Sequence, residues 1–167
     1  MSSNKVKFCS WNVRGLREKV KQKKVFSLLK REKVDLALIQ ESHLNDSEHL
    51  KLTYGWVSQV YFSSFTTSSR GVAILVSKSL PFRLETCIKD KYGRFVIING
   101  TLQGEEITIM NIYCPPNYSP EFLTKAFTEL TELSSEMALV GGDFNCLLCQ
   151  NLDCAELGSY SDISGCP

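Results

Sequence analysis

The side chains best placed to do chemistry fall in four short runs: Trp11-Asn12, Gln40-Glu41-Ser42-His43, Asn111-Ile112-Tyr113 and Gly141-Gly142-Asp143-Phe144-Asn145. Glu41 closes a near-continuous apolar stretch, and a carboxylate in that position must be solvated, paired or bound to a metal. Asp143 follows a pair of glycines, which let the backbone turn sharply and approach a ligand closely. Asn12 taken alone reads as a turn residue. His43 taken alone reads as a surface or hydrogen-bonded loop histidine and stays outside the candidate catalytic set.

The elements that must position these residues follow from periodicity. Residues 6–13 read as a short strand ending at Asn12, broken by Gly15. Over 18–33, Val20, Val25, Leu28 and Leu29 fall near one helical face with lysines elsewhere. The stretch 35–41 is apolar enough for a strand buried on both faces, so the chain opens strand, helix, strand. Further strands are expected over 55–62, 71–77, 83–88, 94–102 and 106–113, separated by turn signals, with 62–69 as a polar loop. Ser119 is a plausible N-cap and Pro120 a first helical residue for a helix to Leu133, with Phe122, Ala126, Phe127 and Leu130 on one face. Residues 137–140 read as a last buried strand running into Gly141. Many strands and few helices in mixed order predict an α+β layered sandwich. Asn12, Glu41, Tyr113 and Asp143 all lie at or just past strand ends, which predicts a site along one rim.

Length and composition set the bounds. A chain of 167 residues, 43% hydrophobic and 22% charged, is ordinary globular composition and excludes a collagen-like or disordered chain. No apolar run reaches membrane-spanning length. The first residues lack the apolar region of a signal peptide, so the expected location is the nucleus or cytoplasm. Seven cysteines, an odd and scattered number, read as small buried hydrophobes rather than a disulfide framework. The net charge of +1 conceals a split: residues 1–33 hold +9 and the remainder −8. The basic cluster Arg14, Arg17, Lys19, Lys21, Lys23 and Lys24 is either a polyanion-attracting surface or a solvated helix face.

The four runs occur together and in order, and with Arg70-Gly71-Val72-Ala73-Ile74-Leu75 and Asp90-Lys91-Tyr92-Gly93-Arg94 they resemble the endonuclease/exonuclease/phosphatase superfamily over residues 5–157. Gln40-Glu41-Ser42-His43-Leu44 and Gly142-Asp143-Phe144-Asn145-Cys146-Leu147-Leu148 are most similar to the endonuclease domains of LINE-type (non-LTR) retrotransposons, relatives of apurinic endonucleases and exonuclease III. The resemblance implies one domain over 1–157 with an unaligned tail over 158–167, and a four-layer α/β/β/α sandwich of the DNase I type. It also implies a Mg²⁺-dependent endonuclease acting on DNA, with Mn²⁺ as the alternative metal and no small-molecule cofactor. Glu41 would be the main metal ligand, with Asn12 beside the metal. Tyr113 would donate to a phosphate oxygen, Asp143 would orient and help deprotonate the attacking water, and Asn145 would hydrogen-bond the phosphate. Arg14, Lys19, Lys21 and Lys24 would meet DNA, and Arg94 would be structural or a DNA contact.

The family's later blocks, an Asp-bearing strand and a terminal Ser-Asp-His block, find no match here. The expectation is a second sheet lacking its last strands and impaired chemistry, each lost catalytic group costing about 10²–10⁴ in rate. A remnant that only binds nucleic acid and a lipid or inositol phosphatase of the same superfamily are the competing expectations. Cys146, Cys149, Cys154 and Cys166 are too irregularly spaced to read as a zinc site.

Overall fold

In a computed structural model, residues 5–133 and 136–146 are described, and they form two mixed four-stranded sheets and three helices. The expected irregular tail, and with it Cys149, Cys154 and Cys166, lies outside the described residues.

The opening strand–helix–strand is a parallel crossover. β1 (Phe8–Asn12) runs beside β2 (Leu36–Gln40), pairing Phe8 with Leu36 through Asn12 with Gln40, and α1 (Lys19–Arg31) makes the return. All five residues of β2 are buried, as a central strand covered on both faces requires. The short α2 (Asp46–Leu50) follows, then β3 (Val57–Ser63) and β4 (Val72–Ser77) complete a sheet in the order β1-β2-β4-β3. The second sheet is β5 (Phe82–Lys89), β6 (Phe95–Leu102), β7 (Glu105–Tyr113) and β8 (Met137–Asp143), in that order. The helix α3 (Pro120–Leu133) links β7 to its parallel neighbour β8.

Three apolar clusters fill the spaces between four layers. Val25, Phe26 and Leu29 of α1 pack on Ala37, Ile39, Ala73 and Leu75 of the first sheet. Leu36, Leu38, Ile74 and Val76 meet Val96, Ile98, Ile107 and Ile109 between the sheets. Phe122, Ala126 and Leu130 of α3 cover Phe95, Ile97, Met110 and Ile112 on the far side. The α/β/β/α order expected from the sequence is the one observed. No helix among the described residues is long and apolar enough to cross a membrane.

The details depart from the periodic reading where a face is only partly covered. Val20 is 57% exposed; the buried stripe of α1 runs instead through Gln22, Val25, Phe26 and Leu29. Gln22 is accommodated because its Nε2 donates to the Leu16 carbonyl at 3.3 Å. Phe127 is likewise exposed while Phe122, Ala126 and Leu130 are buried. β8 was expected to be buried, but Met137 and Val140 are exposed, because among the described residues β8 pairs on one side only. α2 was not anticipated. Its five residues are too few for a periodic signal, and it is held by a capping box in which Asn45 and Glu48 satisfy each other's backbone N–H groups at 2.8 and 2.9 Å.

Two devices lock the sheets together near one rim. Gly141 sits against the Leu38 side chain of the first sheet, where a Cβ would collide, while Gly142 lies against the Ile112 carbonyl of its own sheet neighbour β7. Asn111 of β7 is fully buried and crosses to the other sheet, its Nδ2 donating to the carbonyls of Ile39 and Ala73, both at 2.8 Å. Its Oδ1 accepts from Gln40 Nε2 at 2.7 Å. Every polar atom of this amide is paired inside the core, so it fixes the relative position of β2, β4 and β7.

Candidate active site

Both parallel pairs end at the same rim. The register Asn12↔Gln40 places Asn12 beside the residue before Glu41, and Tyr113↔Asp143 pairs two site residues directly on the second sheet. The four side chains expected to share a site are thereby brought together. Asn12 Nδ2 donates to Glu41 Oε1 and to Asp143 Oδ2, each at 2.8 Å, bridging carboxylates that belong to different sheets. The Asn12 Oδ1 accepts the backbone N–H of Arg14 at 3.1 Å, which fixes the amide's orientation. The Tyr113 hydroxyl hydrogen-bonds Glu41. Burial first, then that bond and the nearby Glu41 and Asp143 charges, push its pKa up to about 12, so the phenol is a neutral donor over the ordinary pH range.

Glu41 is held by an unusual backbone. Glu41 and His43 both adopt left-handed conformations, with φ of 50° and 55°, which side chains other than glycine seldom occupy. The segment is pinned from two sides. Gly15 and Leu16 donate to the carbonyls of Glu41 and Ser42 at 2.6 and 2.8 Å, while Ser42 and His43 donate to the carbonyls of Gly71 and Arg70 at 3.0 Å. Beneath it, the buried Ser42 Oγ meets His49 Nε2 at 2.9 Å, and His49 Nδ1 faces the Asn45 carbonyl and Ser64 Oγ.

That network carries a pH dependence. Burial is the main cause that lowers the His49 pKa from its ordinary 6.5 to about 4, against the raising effects of the Asn45 carbonyl, Asp46 and Glu48. In the unfolded chain the imidazole takes up a proton near pH 6.5; in the folded chain it resists until about pH 4. Its stabilising contribution is therefore complete above 6.5 and is lost on acidification, amounting to about 3 kcal/mol by pH 4. Urea midpoints measured between pH 7.5 and 4 should fall more steeply for the wild-type chain than for His49→Gln. Parallel curves would show that His49 is not the buried neutral group assigned.

His43, set aside on sequence grounds, is at the site: its Nε2 lies 3.4 Å from Glu41 Oε2. Its ring also lies over Gly15, where a Cβ would stand 3.2 Å from Nδ1. Asn145 reaches the same rim, but its Nδ2 donates to the Cys114 carbonyl at 2.6 Å and its backbone N–H to Asp143 Oδ1 at 3.0 Å. In this arrangement Asn145 orients the Asp143 carboxylate rather than presenting its amide to the cleft.

The basic cluster divides. Arg14, Arg17 and Lys21 line a small cleft of about 220 Å³ together with Glu18, His43 and Thr67, and His43 links it to Glu41. Lys21 Nζ donates to the Arg14 carbonyl at 2.9 Å. Lys19 Nζ turns to Gln22 Oε1 at 3.4 Å. Lys24, with Lys23 and Arg31, lines a separate depression along the outer side of α1. Arg94 is elsewhere again. Its Nε and Nη2 clasp the buried carboxylate of Asp90 at 2.8 and 3.2 Å, and its guanidinium carbon lies 4.2 Å from the Phe122 ring centroid. Among the described residues, no three His, Cys, Asp or Glu side chains converge as a metal cage. The atoms at the rim suited to a metal are the oxygens of the Glu41 and Asp143 carboxylates, whose positions the Asn12 nitrogen fixes by donating to both, with the His43 ring nitrogen 3.4 Å from Glu41. Such a set suits a cation that keeps most of its water, as Mg²⁺ does.

Residues 9–151 match the profile of the Endonuclease/Exonuclease/phosphatase family. The chain is 26% identical over 137 residues to the transposon TX1 uncharacterized 149 kDa protein of Xenopus laevis, covering 80% of this chain and 10% of that protein. It is 27% identical over 147 residues to the probable RNA-directed DNA polymerase from transposon BS of Drosophila melanogaster, covering 85% of this chain and 15% of the relative. Among solved structures, the endonuclease domain of TRAS1, a telomere-specific non-LTR retrotransposon, superposes with a TM-score of 0.62 at 19% identity, over 86% of this chain and 60% of that one. TDP2 of D. rerio, complexed with single-strand DNA product, gives 0.63 at 21% identity, over 85% of this chain and 61% of that one. The chain thus spans a small part of the transposon proteins and about three fifths of the solved domains.

Proposed function

We infer, from the premise that this chain belongs to the Endonuclease/Exonuclease/phosphatase family, that its rim is built to hydrolyse phosphodiester bonds of DNA with the help of Mg²⁺. The observation that carries this reading is the Asn12 amide tied at 2.8 Å to both Glu41 and Asp143, which makes one oxygen-rich site from the ends of two sheets. The basic cleft of Arg14, Arg17 and Lys21 beside it supports a polyanionic substrate. The likeness to transposon proteins and to a retrotransposon endonuclease domain supports DNA over a lipid or inositol phosphate.

The roles follow from placement. Glu41, with Asn12 beside it, would hold the metal, which when bound neutralises charge developing on the phosphoryl group. Asp143, fixed by Asn12 and Asn145, accepts a hydrogen bond from the attacking water and orients it. Tyr113, kept neutral, donates to a phosphoryl oxygen. Arg14 and Lys21 meet flanking phosphates.

The test is conversion of supercoiled plasmid to open circles by the chain in Mg²⁺, beside release of phosphate from inositol phosphate. The expected result is nicking without phosphate release, with Mn²⁺ also supporting it. Phosphate release without nicking would contradict the substrate assignment, and nicking undiminished by a chelator would contradict the metal.

A further inference from the structure

Two large aromatic side chains lie exposed next to the site and take no part in it. Phe65, on the loop between β3 and β4, is 44% exposed, and Tyr92, on the turn between β5 and β6, is 40% exposed. Their rings meet edge to face at 6.2 Å. Cations lie over both rings. The Arg70 guanidinium carbon is 4.7 Å from the Phe65 centroid, and Lys91 Nζ and the Arg94 guanidinium carbon are 4.8 and 4.9 Å from that of Tyr92. Neither Arg70 nor Lys91 takes part in an ion pair among the described residues.

The cluster is built rather than incidental. The loop closes on itself through Thr66 and Ser69, whose hydroxyls lie 2.9 Å apart. The turn packs against it so closely that a Cβ at Gly93 would stand 2.9 Å from Phe65 Cβ and from the Gly71 nitrogen. Gly71 N–H donates to the Gly93 carbonyl at 3.0 Å, and the Arg70 carbonyl accepts from His43 at 3.0 Å. The aromatic cluster is therefore coupled by backbone hydrogen bonds to the segment that carries Glu41.

We propose that Phe65 and Tyr92 form a stacking platform for an unpaired nucleobase, with Arg70 and Lys91 taking the adjoining phosphates. This deepens the nuclease reading and rests on it. Exposed ring surface beside uncompensated cations matches a single strand, which offers a free base face and a phosphate together. A paired base offers no such face, because its neighbours in the duplex already cover it. The platform therefore selects locally unpaired DNA next to the rim, whereas the Arg14–Lys21 cleft reads phosphates alone.

Fluorescence anisotropy in a chelator, so that no cleavage occurs, separates these contributions. The probes are a dye-labelled oligothymidylate and a blunt-ended, fully paired duplex of equal length. Phe65→Ala/Tyr92→Ala should weaken single-strand binding about 10-fold and leave duplex binding within about twofold. Phe65→Trp, which keeps a stacking surface, should retain single-strand affinity, and its emission should be quenched on binding. Equal losses on both probes, or no loss on the single strand, would overturn the platform. A wild-type chain that fails to bind the single strand would overturn it too. Plasmid nicking by the wild-type chain judges the nuclease reading separately.

Discussion

Glu41→Ala and Asp143→Ala should each lower the proposed DNA nicking by about 10³-fold, within the range found when a charge-stabilising or proton-transferring group is removed. The size of the effect follows from geometry. Glu41 and Asp143 accept from the same Asn12 nitrogen, both at 2.8 Å, and they are the carboxylates of the rim. Losing either would remove a charge that the proposed chemistry requires and free Asn12 to turn away from its partner. The fold should not follow the activity down. Both side chains are partly exposed, and the Glu41 backbone is pinned by hydrogen bonds from Gly15 and to the chain beyond it. Denaturant midpoints should stay within about 1 kcal/mol of wild type. Glu41→Gln is a sharper variant, because its amide oxygen can still accept from Asn12 while the charge is gone. Nicking that survives in Glu41→Ala and in Asp143→Ala would place the chemistry elsewhere.

Arg94→Ala does the opposite, destabilising the chain by about 3–5 kcal/mol, the cost of leaving a buried charge without its partner. The Asp90 side chain is 1% exposed, and three of its hydrogen bonds come from Arg94: the backbone N–H at 3.2 Å, Nε at 2.8 Å and Nη2 at 3.2 Å. The guanidinium also packs between the rings of Tyr92 and Phe122, so the substitution removes both pairing and contact. The Arg94 carbonyl accepts from Tyr113 at 2.6 Å, which carries any displacement to the rim. Urea unfolding of Arg94→Ala measures the first effect directly. Pairing it with Asp90→Asn should recover part of the loss, because the buried charge is then absent. A stable Arg94→Ala chain with weakened DNA binding would instead make Arg94 a DNA contact.

The fold was legible where burial writes itself into sequence. The apolar run 35–41 reads as a covered strand and the Lys-rich segment before it as a helix, so the strand, helix, strand opening is in the sequence; that β1 and β2 pair in parallel is seen in the structure. Rim residues were legible as polar side chains at the ends of such strands. Their mutual contacts were not, because nothing in Asn12 alone distinguishes a turn residue from an amide reaching 2.8 Å to carboxylates in two sheets. Coverage was illegible too. Val20 and Phe127 fit the helical periodicity but fall outside the faces their neighbours bury. In the sequence Asn111 and Gln40 are only parts of motifs, whereas their hydrogen bonds inside the core make them the struts beneath the site. In the sequence His43 is a lone loop histidine, and the left-handed turn at Glu41 and His43 brings its ring back to Glu41. For Arg94, the charge was visible and its buried partner was not. The aromatic pair Phe65 and Tyr92 was likewise invisible, since exposure is decided by what the rest of the chain leaves uncovered.

The central claim is that the ends of two sheets make one catalytic unit, and the double variant Glu41→Ala/Asp143→Ala tests it most directly. Groups that act together are not additive. Nicking by the double variant should therefore match the slower single variant within several-fold, and single-turnover rates measured side by side on one plasmid would show it. A double variant whose loss is the product of the two single losses would mean independent contributions, and the site joined through Asn12 would not be the unit described.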